Sequence, residues 1–472
     1  MKIVVLGGSP KGETSVTMQY VRWLEENLED GDFETFQIAS RIAMYERDES
    51  AFAAVIAAID RADAVLWAFP LYVFTVCSQY KRFIELVQER GSASAFHGKY
   101  AASLSTSIHF FDHTAHEYIR GISEDLGMSY VGFFSPKMDD LLKATTRAQL
   151  LAFGRDLIDS AERKLSLPRR SSPLPSAWSA PLADESGLEP GVMIAPGMGG
   201  RRVLVLVDYP DRPVGAMARR FAADARNAGA QVNVLGIAEM GMKGGCLGCL
   251  KCAQANQCVW EGKDGFIDSF RANVMPADLV VVAGTIVDRS FSSRWKAFLD
   301  RAFFNTHQRT LRGKQFLFLA SGPLSRLDNF RQTMQGWVEW QGGNLIDFLS
   351  DEVGSQTELG RLIDSAVERA GLALASGASR PATFLGVGGM KVFRDDIYDS
   401  LRIVFKGDHR AYRADGTYDF PTRRPFRMLA IRLGYWITSI PFIYRGMMRD
   451  FPSQMVKPYA RLFSRSRTAA RE

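Results

Sequence analysis

Four of the five cysteines in this 472-residue chain fall between positions 246 and 258, spaced Cys246-x2-Cys249-x2-Cys252-x5-Cys258. Thiolates packed this closely can wrap one cubane cluster, with a short loop supplying the fourth ligand. A structural zinc site more often uses two CxxC knuckles well separated in sequence. A disulfide framework would scatter its cysteines through a short secreted chain. Three readings of Cys246, Cys249, Cys252 and Cys258 therefore stay open: a [4Fe-4S] cluster, a compact zinc site, or reduced or disulfide-linked thiols.

A second group with chemical potential is the turn Gly7-Gly8-Ser9-Pro10-Lys11-Gly12-Glu13-Thr14-Ser15-Val16-Thr17. Glycines allow backbone amides to approach a ligand, and the first turn of a following helix offers unpaired N–H groups and a positive dipole end. Hydroxyls at 9, 14, 15 and 17 add donors suited to a terminal phosphate. The Gly-Lys-Ser/Thr ending of a Walker loop is missing, and so is the GxGxxG dinucleotide fingerprint. Further along come Phe69-Pro70-Leu71-Tyr72-Val73 and Ser105-Thr106-Ser107-Ile108-His109, each directly after an apolar run. In a doubly wound sheet, ligands sit beyond the carboxyl ends of the strands. One phosphate-like loop and two loops suited to a flat polar ring, all from one edge, suggest a mononucleotide.

The elements that must position these loops follow a regular alternation. Strand signals at 3–8, 33–39, 62–69, 99–107 and 128–134 alternate with helical stripes at 14–29, 50–61, 77–90, 113–126 and 144–163. Continuously apolar strands between helices imply a parallel sheet covered on both faces. Residues 166–200 then change character, with six prolines, several serines and the Gly cluster at 197–200, which reads as a linker. The pattern starts again with strands at 201–209, 230–237, 277–284, 314–321 and 343–351 and ends in a helix over 356–376. ADAVLWAF (62–69) and ADLVVVAG (277–284) hold the same place in the two halves. The expected organisation is a domain over 1–165, the linker, a second domain of the same α/β class over 201–376 bearing the cysteines, and an extension over 377–472.

The loop G-S-P-K-G near the N-terminus, with F-P-L-Y-V some 60 residues later, resembles the NADPH-dependent FMN reductase and iron–sulfur flavoprotein group of flavodoxin-like proteins. That resemblance implies two flavodoxin-like domains in tandem, each a doubly wound five-stranded parallel sheet, and an FMN site in the first. Ser9, Pro10, Lys11, Thr14 and Ser15 would hold the phosphate. Pro70, Leu71, Tyr72 and Val73 would flank the isoalloxazine, with Ser105, Thr106 and Ser107 on its other side. Lys11 stands where that group usually has arginine, offering a point charge instead of a bidentate fork. No asparagine follows Gly12. The cysteine spacing, with Gly245, Gly248 and Asp264, is similar to that of the iron–sulfur flavoproteins, which implies a [4Fe-4S] cluster close to FMN.

The second half departs from this pattern. Its first turn, Asp208-Tyr209-Pro210-Asp211-Arg212-Pro213, puts two carboxylates where a phosphate loop should be electropositive, and Thr285-Ile286-Val287-Asp288 replaces Pro-Leu-Tyr. The second domain is therefore expected to bind no flavin. Weaker candidates are His109, His113 and His116 near the ring loop, Cys77 at the head of a helix, and His307 with Ser321-Gly322-Pro323-Leu324. The helix carrying Arg294, Trp295, Lys296 and Arg301 reads as packing, and no nucleic-acid partner is expected.

Bulk properties narrow the class. Hydrophobic content of 46%, charged content of 23% and a mean hydropathy of −0.09 are those of an ordinary globular protein. No apolar run is long enough to span a bilayer, and the N-terminus MKIVVLGGSP has no signal-peptide features, so a cytoplasmic address is expected. The net charge of +6 is uneven. Residues 380–472 carry 18 Lys/Arg against 8 Asp/Glu. Three readings of that basic, aromatic extension are open: cover for the active site or a homodimer surface, weak contact with an anionic membrane, or partial disorder. Packing within the chain is the expectation. The function implied is an FMN-dependent oxidoreductase taking electrons from NAD(P)H and passing them to a small-molecule or protein redox partner, with the cluster as a way station. The competing readings are a non-catalytic electron carrier and a cluster-bearing redox scaffold.

Overall fold

The computed structural model describes residues 1–175, 196–419 and 425–469, with side chains described to 460. Most of the linker expected over 166–200 thus lies outside the described residues. The chain forms two compact units: Met1–Pro173 with Gly245–Ala255 and Asp395–Glu472, and Leu174–Gly244 with Asn256–Arg394.

The first repeat runs β1 (Lys2–Gly7), α1 (Val16–Asn27), β2 (Asp32–Gln37), α2 (Ile42–Arg47), α3 (Glu49–Arg61), β3 (Ala64–Pro70), α4 (Ser78–Glu89), β4 (Tyr100–Thr106), α5 (Asp112–Asp125), β5 (Ser129–Phe134) and α6 (Ala144–Glu162). Its strands lie in the order β2-β1-β3-β4-β5, all parallel. The direction of winding reverses between β1 and β3, so the loops after those strands open at the switch point where such sheets take ligands. Strands β1, β3 and β4 are buried along almost their whole length, as expected of strands covered on both faces. Helices pack there because their stripes are apolar; Val16, Tyr20, Val21 and Leu24 of α1, for example, are all buried. Asp48 caps α3 by accepting from the Ser50 and Ala51 amides.

The second repeat runs β6 (Arg202–Val207), α7 (Pro213–Asn227), β7 (Gln231–Gly236), the short α8 (Phe266–Ser269), β8 (Leu279–Thr285), α9 (Ser293–Ala302), β9 (Gln315–Ser321), α10 (Asp328–Trp340), β10 (Asn344–Ser350) and α11 (Gln356–Ser376). Its sheet has the same topology, β10-β9-β8-β6-β7, again all parallel. The fold is two flavodoxin-like α/β domains followed by a helical region. That region comprises α12 (Phe384–Tyr398), α13 (Lys406–Ala414), α14 (Pro425–Ile437) and α15 (Pro441–Ala469). Tyr459 of α15 is buried in the same core as Tyr20 and Leu24 of the first repeat. Much of the extension therefore packs within its own chain.

Candidate functional site

The first loop is shaped by close approaches. Gly8 donates its N–H to Ala68 O at 2.6 Å, and a Cβ at Gly8 would fall 2.8 Å from Phe69 Cβ and 2.9 Å from the Tyr80 ring. Only glycine lets β1 leave the sheet here. Gly12 has φ +56°, a conformation glycine adopts without strain. The Ser9 hydroxyl is buried and accepts the Lys11 N–H at 3.2 Å. Thr14 is exposed and donates to Lys11 O at 2.8 Å. Buried Ser15 is the N-cap of α1, yet its side chain makes no capping bond among the described residues. The first amides of this twelve-residue helix thus remain available to an anion.

At the end of β3 the chain makes a tight reversal in which Tyr72 and Thr75 exchange backbone hydrogen bonds of 2.8 and 3.0 Å. Val73 sits at φ +31° and Phe74 at φ +71°. A β-branched residue with positive φ is strained, and strain of this kind gathers at functional edges. The neighbouring loop repeats the pattern with His109 at +63° and Phe111 at +56°. Phe74, Phe110 and Phe111 pack together with centroids 4.5 to 5.0 Å apart and fix both loops. Sequence periodicity could not signal this cluster, because its geometry depends on backbone conformations that no side-chain pattern encodes.

The third loop is placed at the same edge, but its hydroxyls are committed inward. Thr106 Oγ1 lies 2.6 Å from Thr17 Oγ1. Ser105 Oγ lies 2.8 Å from His116 Nε2, and Ser103 Oγ is 2.7 Å from His116 Nδ1. The Ser107 hydroxyl accepts the His109 N–H at 2.9 Å. His116 is buried and stacked on Phe133 at 4.4 Å. Burial pushes its pKa down to about 3 against the opposing pull of Asp112, so it is a neutral core histidine. Asp112 accepts from Ser135 Oγ at 2.6 Å and pairs with His109 Nδ1 at 3.0 Å, which together with smaller charge effects holds its carboxyl below the ordinary range despite its burial. Cys77, fully buried, donates its thiol to Gly8 O at 3.3 Å, so its place is structural.

Residues 245–255 belong to the first unit, where they lie against Lys11 and Tyr72. Gln79 Nε2 donates to Cys246 O at 2.9 Å. Gly248, at φ +63°, leaves no room for a side chain: a Cβ there would fall 1.9 Å from Tyr72 Oη and 3.2 Å from Lys11 Cε. Burial lowers the Lys11 pKa, while Cys246 and Cys249 nearby pull it back up. The Gly248 amide donates to Cys246 Sγ at 3.4 Å. Cys246, Cys252 and Cys258 are partly exposed and Cys249 exposed, all as thiols. Among the described residues, no group of three or more His, Cys, Asp or Glu side chains is arranged to hold a metal ion. The described arrangement of the cysteines therefore gives no support to a cluster or a zinc ion. The same finding gives no support to a metal site at His109, His113 and His116.

The second repeat shows how differently its edge is used. Asp208, at the place of Gly8, is buried; its carboxylate accepts from the Thr285 amide at 3.1 Å and Ser292 Oγ at 2.6 Å. Burial raises its pKa to about 6, against the lowering effect of those donors. Tyr209 lies between the guanidinium groups of Arg212 and Arg294, at 3.8 and 4.2 Å. Asp351, also buried, accepts from Ser321 Oγ at 2.6 Å and the Gly322 amide at 2.9 Å. His307 is buried beneath Phe393 at 3.9 Å, and Ser321 is buried as well. Asp264 joins the buried Arg301 through bonds of 2.8 and 2.9 Å, and Arg301 also donates to Gly244 O at 2.8 Å. Arg301 thereby ties Asp264 to Gly244 within the second unit.

Two doubly wound sheets, with a glycine-rich turn and an uncapped helix start at the switch point of the first, define a protein of the flavodoxin-like class. The chain belongs to the NADPH-dependent FMN reductase family, a family of oxidoreductases, whose pattern matches residues 1–132 and again 202–342. No curated protein matches it. Among solved structures it is similar to FerB, a flavoenzyme NAD(P)H:acceptor oxidoreductase from Paracoccus denitrificans, at 17% identity over 34% of this chain and 97% of that one, with a TM-score of 0.29. It is also similar to the apo form of the NADH:FMN oxidoreductase EMOB, at 18% identity over 35% and 90%, TM-score 0.29. A general stress protein 14 from Treponema denticola, solved with FMN, is 14% identical over 34% and 98%, TM-score 0.25.

Proposed function

We propose that this protein is an FMN-dependent NAD(P)H oxidoreductase that binds one flavin per chain, in its first repeat. The observation that carries this reading is the contrast between the two first turns. One presents Gly8 and Lys11, with a cradle that no side chain fills at position 8; the other is filled by the buried, hydrogen-bonded carboxylate of Asp208. The donor set of the first turn fits a phosphate: a lysine ammonium, hydroxyls of Ser9 and Ser15, and helix amides, with the Thr14 hydroxyl holding the Lys11 carbonyl and Glu13 exposed to solvent. When bound, FMN supplies hydride acceptance and one-electron or two-electron release.

The chain's own residues do the rest. Lys11 and the α1 amides anchor the phosphate. The strained reversal at Tyr72–Phe74 holds backbone groups in place for the ring, braced by Phe110 and Phe111. The segment around Gly248 covers Lys11 and Tyr72, which limits water at the phosphate end. Ser105 and Thr106 act by fixing the loop from below, since their hydroxyls serve His116 and Thr17. Electron passage through an iron–sulfur cluster has no support in the arrangement of the cysteines, and no step is assigned to one.

Titration of the apoprotein with FMN should saturate at one flavin per chain, and anaerobic NADPH or NADH should bleach the bound flavin. Two flavins per chain would refute the single-site reading. Reduction by neither nucleotide would leave the protein an electron carrier.

A further inference from the structure

We propose that the C-terminal region docks the protein on an anionic lipid surface through the outer face of α14. This inference is independent of the flavin reading.

Helix α14 is apolar on two opposite faces, and only one of them is used. Met428, Ile431 and, just beyond the helix, Thr438 are buried, and the helix packs on the Ser400–Ile403 turn; a Cβ at Gly434 would lie 3.4 Å from Ile403 Cδ1. Arg427 is tied to Asp399 at 2.6 Å. The opposite face carries Phe426 at 87% exposure, Leu429 at 66%, Leu433 at 63% and Trp436 at 73%. At 3.6 residues per turn these four side chains fall within about 80° of arc. Ile440 and Phe442 continue the apolar surface past the helix end at 53% and 81% exposure. Single exposed apolar residues are ordinary, but a contiguous stripe of large ones marks an interaction site.

The charge around the stripe indicates what covers it. Residues 425–460 contain Arg427, Arg432, Arg445, Arg449 and Lys457 against Asp450, with Arg427 paired to Asp399 and Arg449 to Asp450, which leaves the segment net positive at Arg432, Arg445 and Lys457. Arg432, exposed, borders the apolar stripe on the helix surface. Large apolar and aromatic side chains on one face, bordered by the exposed Arg432 in a net-positive segment, match a helix lying in the plane of an anionic headgroup region. A second copy of this chain would set like charges against each other. No helix among the described residues is long and apolar enough to cross a membrane, so the contact is with the surface only.

The test uses the full-length protein, sedimented with vesicles of phosphatidylcholine alone and of phosphatidylcholine mixed with phosphatidylglycerol. Binding is expected to the mixed vesicles only, falling as salt rises. The double variant Leu433→Ser, Trp436→Ser should weaken it roughly tenfold or more, from the lost burial of two large side chains. Both residues are exposed, so folding is retained, which an unchanged thermal transition confirms. Equal binding to neutral vesicles, no binding at all, or binding indifferent to the double variant would overturn the proposal. So would a dimer in solution that the same variant converts to monomer, which would assign the face to a second copy.

Discussion

Replacing Lys11 by methionine separates phosphate anchoring from every other role of the loop. The ammonium is partly buried beneath the Gly248 segment, and burial depresses its pKa. It therefore already carries a desolvation cost that a phosphate dianion would offset. A charge-assisted hydrogen bond contributes about 1.5–3 kcal/mol, so Lys11→Met should raise the Kd for FMN roughly 10- to 150-fold. Riboflavin, which has the ring without the phosphate, should bind wild type and variant alike. Because methionine removes a partly buried charge and keeps the length of the side chain, the apoprotein should melt no lower than wild type. Flavin fluorescence quenching at two salt concentrations provides the assay, and the salt dependence of FMN affinity should shrink in the variant. An equal loss for FMN and riboflavin, or none for FMN, would refute the assignment of Lys11 to the phosphate.

Gly248→Val should unseat the segment over Lys11, since positive φ costs a residue with a Cβ about 1–2 kcal/mol before the contact with Tyr72 is counted; faster proteolysis within 245–255 and faster FMN release are expected, and unchanged rates would contradict the packing described. His116, with its pKa lowered from an unfolded value near 6.5 to about 3, contributes stability that is complete above the unfolded value and is lost as pH falls from there toward 3. On the order of 4 kcal/mol is at stake, so urea unfolding of His116→Gln should show a much flatter acid limb than wild type. Asp208 has the opposite sign, because its folded pKa of about 6 lies above the unfolded value near 3.9. Its charged form weakens the fold increasingly from pH 4 to 6, so Asp208→Asn should gain on wild type by roughly 2–3 kcal/mol across that interval, and a pH-independent difference would show that the carboxylate is not desolvated as described.

Strand and helix positions were legible because they rest on local periodicity. Runs such as IVVLGG and ADLVVVAG could only be buried parallel strands, and the two repeats reinforced each other. The Gly8–Lys11 turn was legible for a similar reason, since glycine states its backbone needs directly, whereas the reversal at Tyr72–Thr75 was not, because it rests on positive φ at Val73 and Phe74. Long-range partners were not. Nothing in Ser105 announces that its hydroxyl faces His116, because a serine reads the same whether it points at a ligand or at the core. The cysteine spacing was informative about chemistry that four thiolates can perform, yet spacing does not say whether the chain folds them toward one another. The extension read as basic and aromatic, but which half of its apolar surface would be covered depended on Tyr459 and Met428 finding partners far away in sequence.

The divergence of the two switch points involves a coupled set of positions. Strand β3 ends in Pro70 where β8 ends in Thr285, and α4 begins after Cys77 where α9 begins after Ser292. In the second repeat the Thr285 amide and the Ser292 hydroxyl both donate to Asp208. In the first, Pro70 has no N–H, and the Cys77 thiol is spent on the Gly8 carbonyl. A carboxylate grafted at position 8 would thus meet the Phe69 and Tyr80 side chains with neither of the donors that make Asp208 tolerable. The reverse exchange, glycine at 208, would leave two donors aimed at an empty place. In our reading the second repeat carries its anion covalently and the first leaves that role to a ligand. The choice rests on Gly8, Pro70 and Cys77 together, so no single substitution should move the flavin site from one repeat to the other.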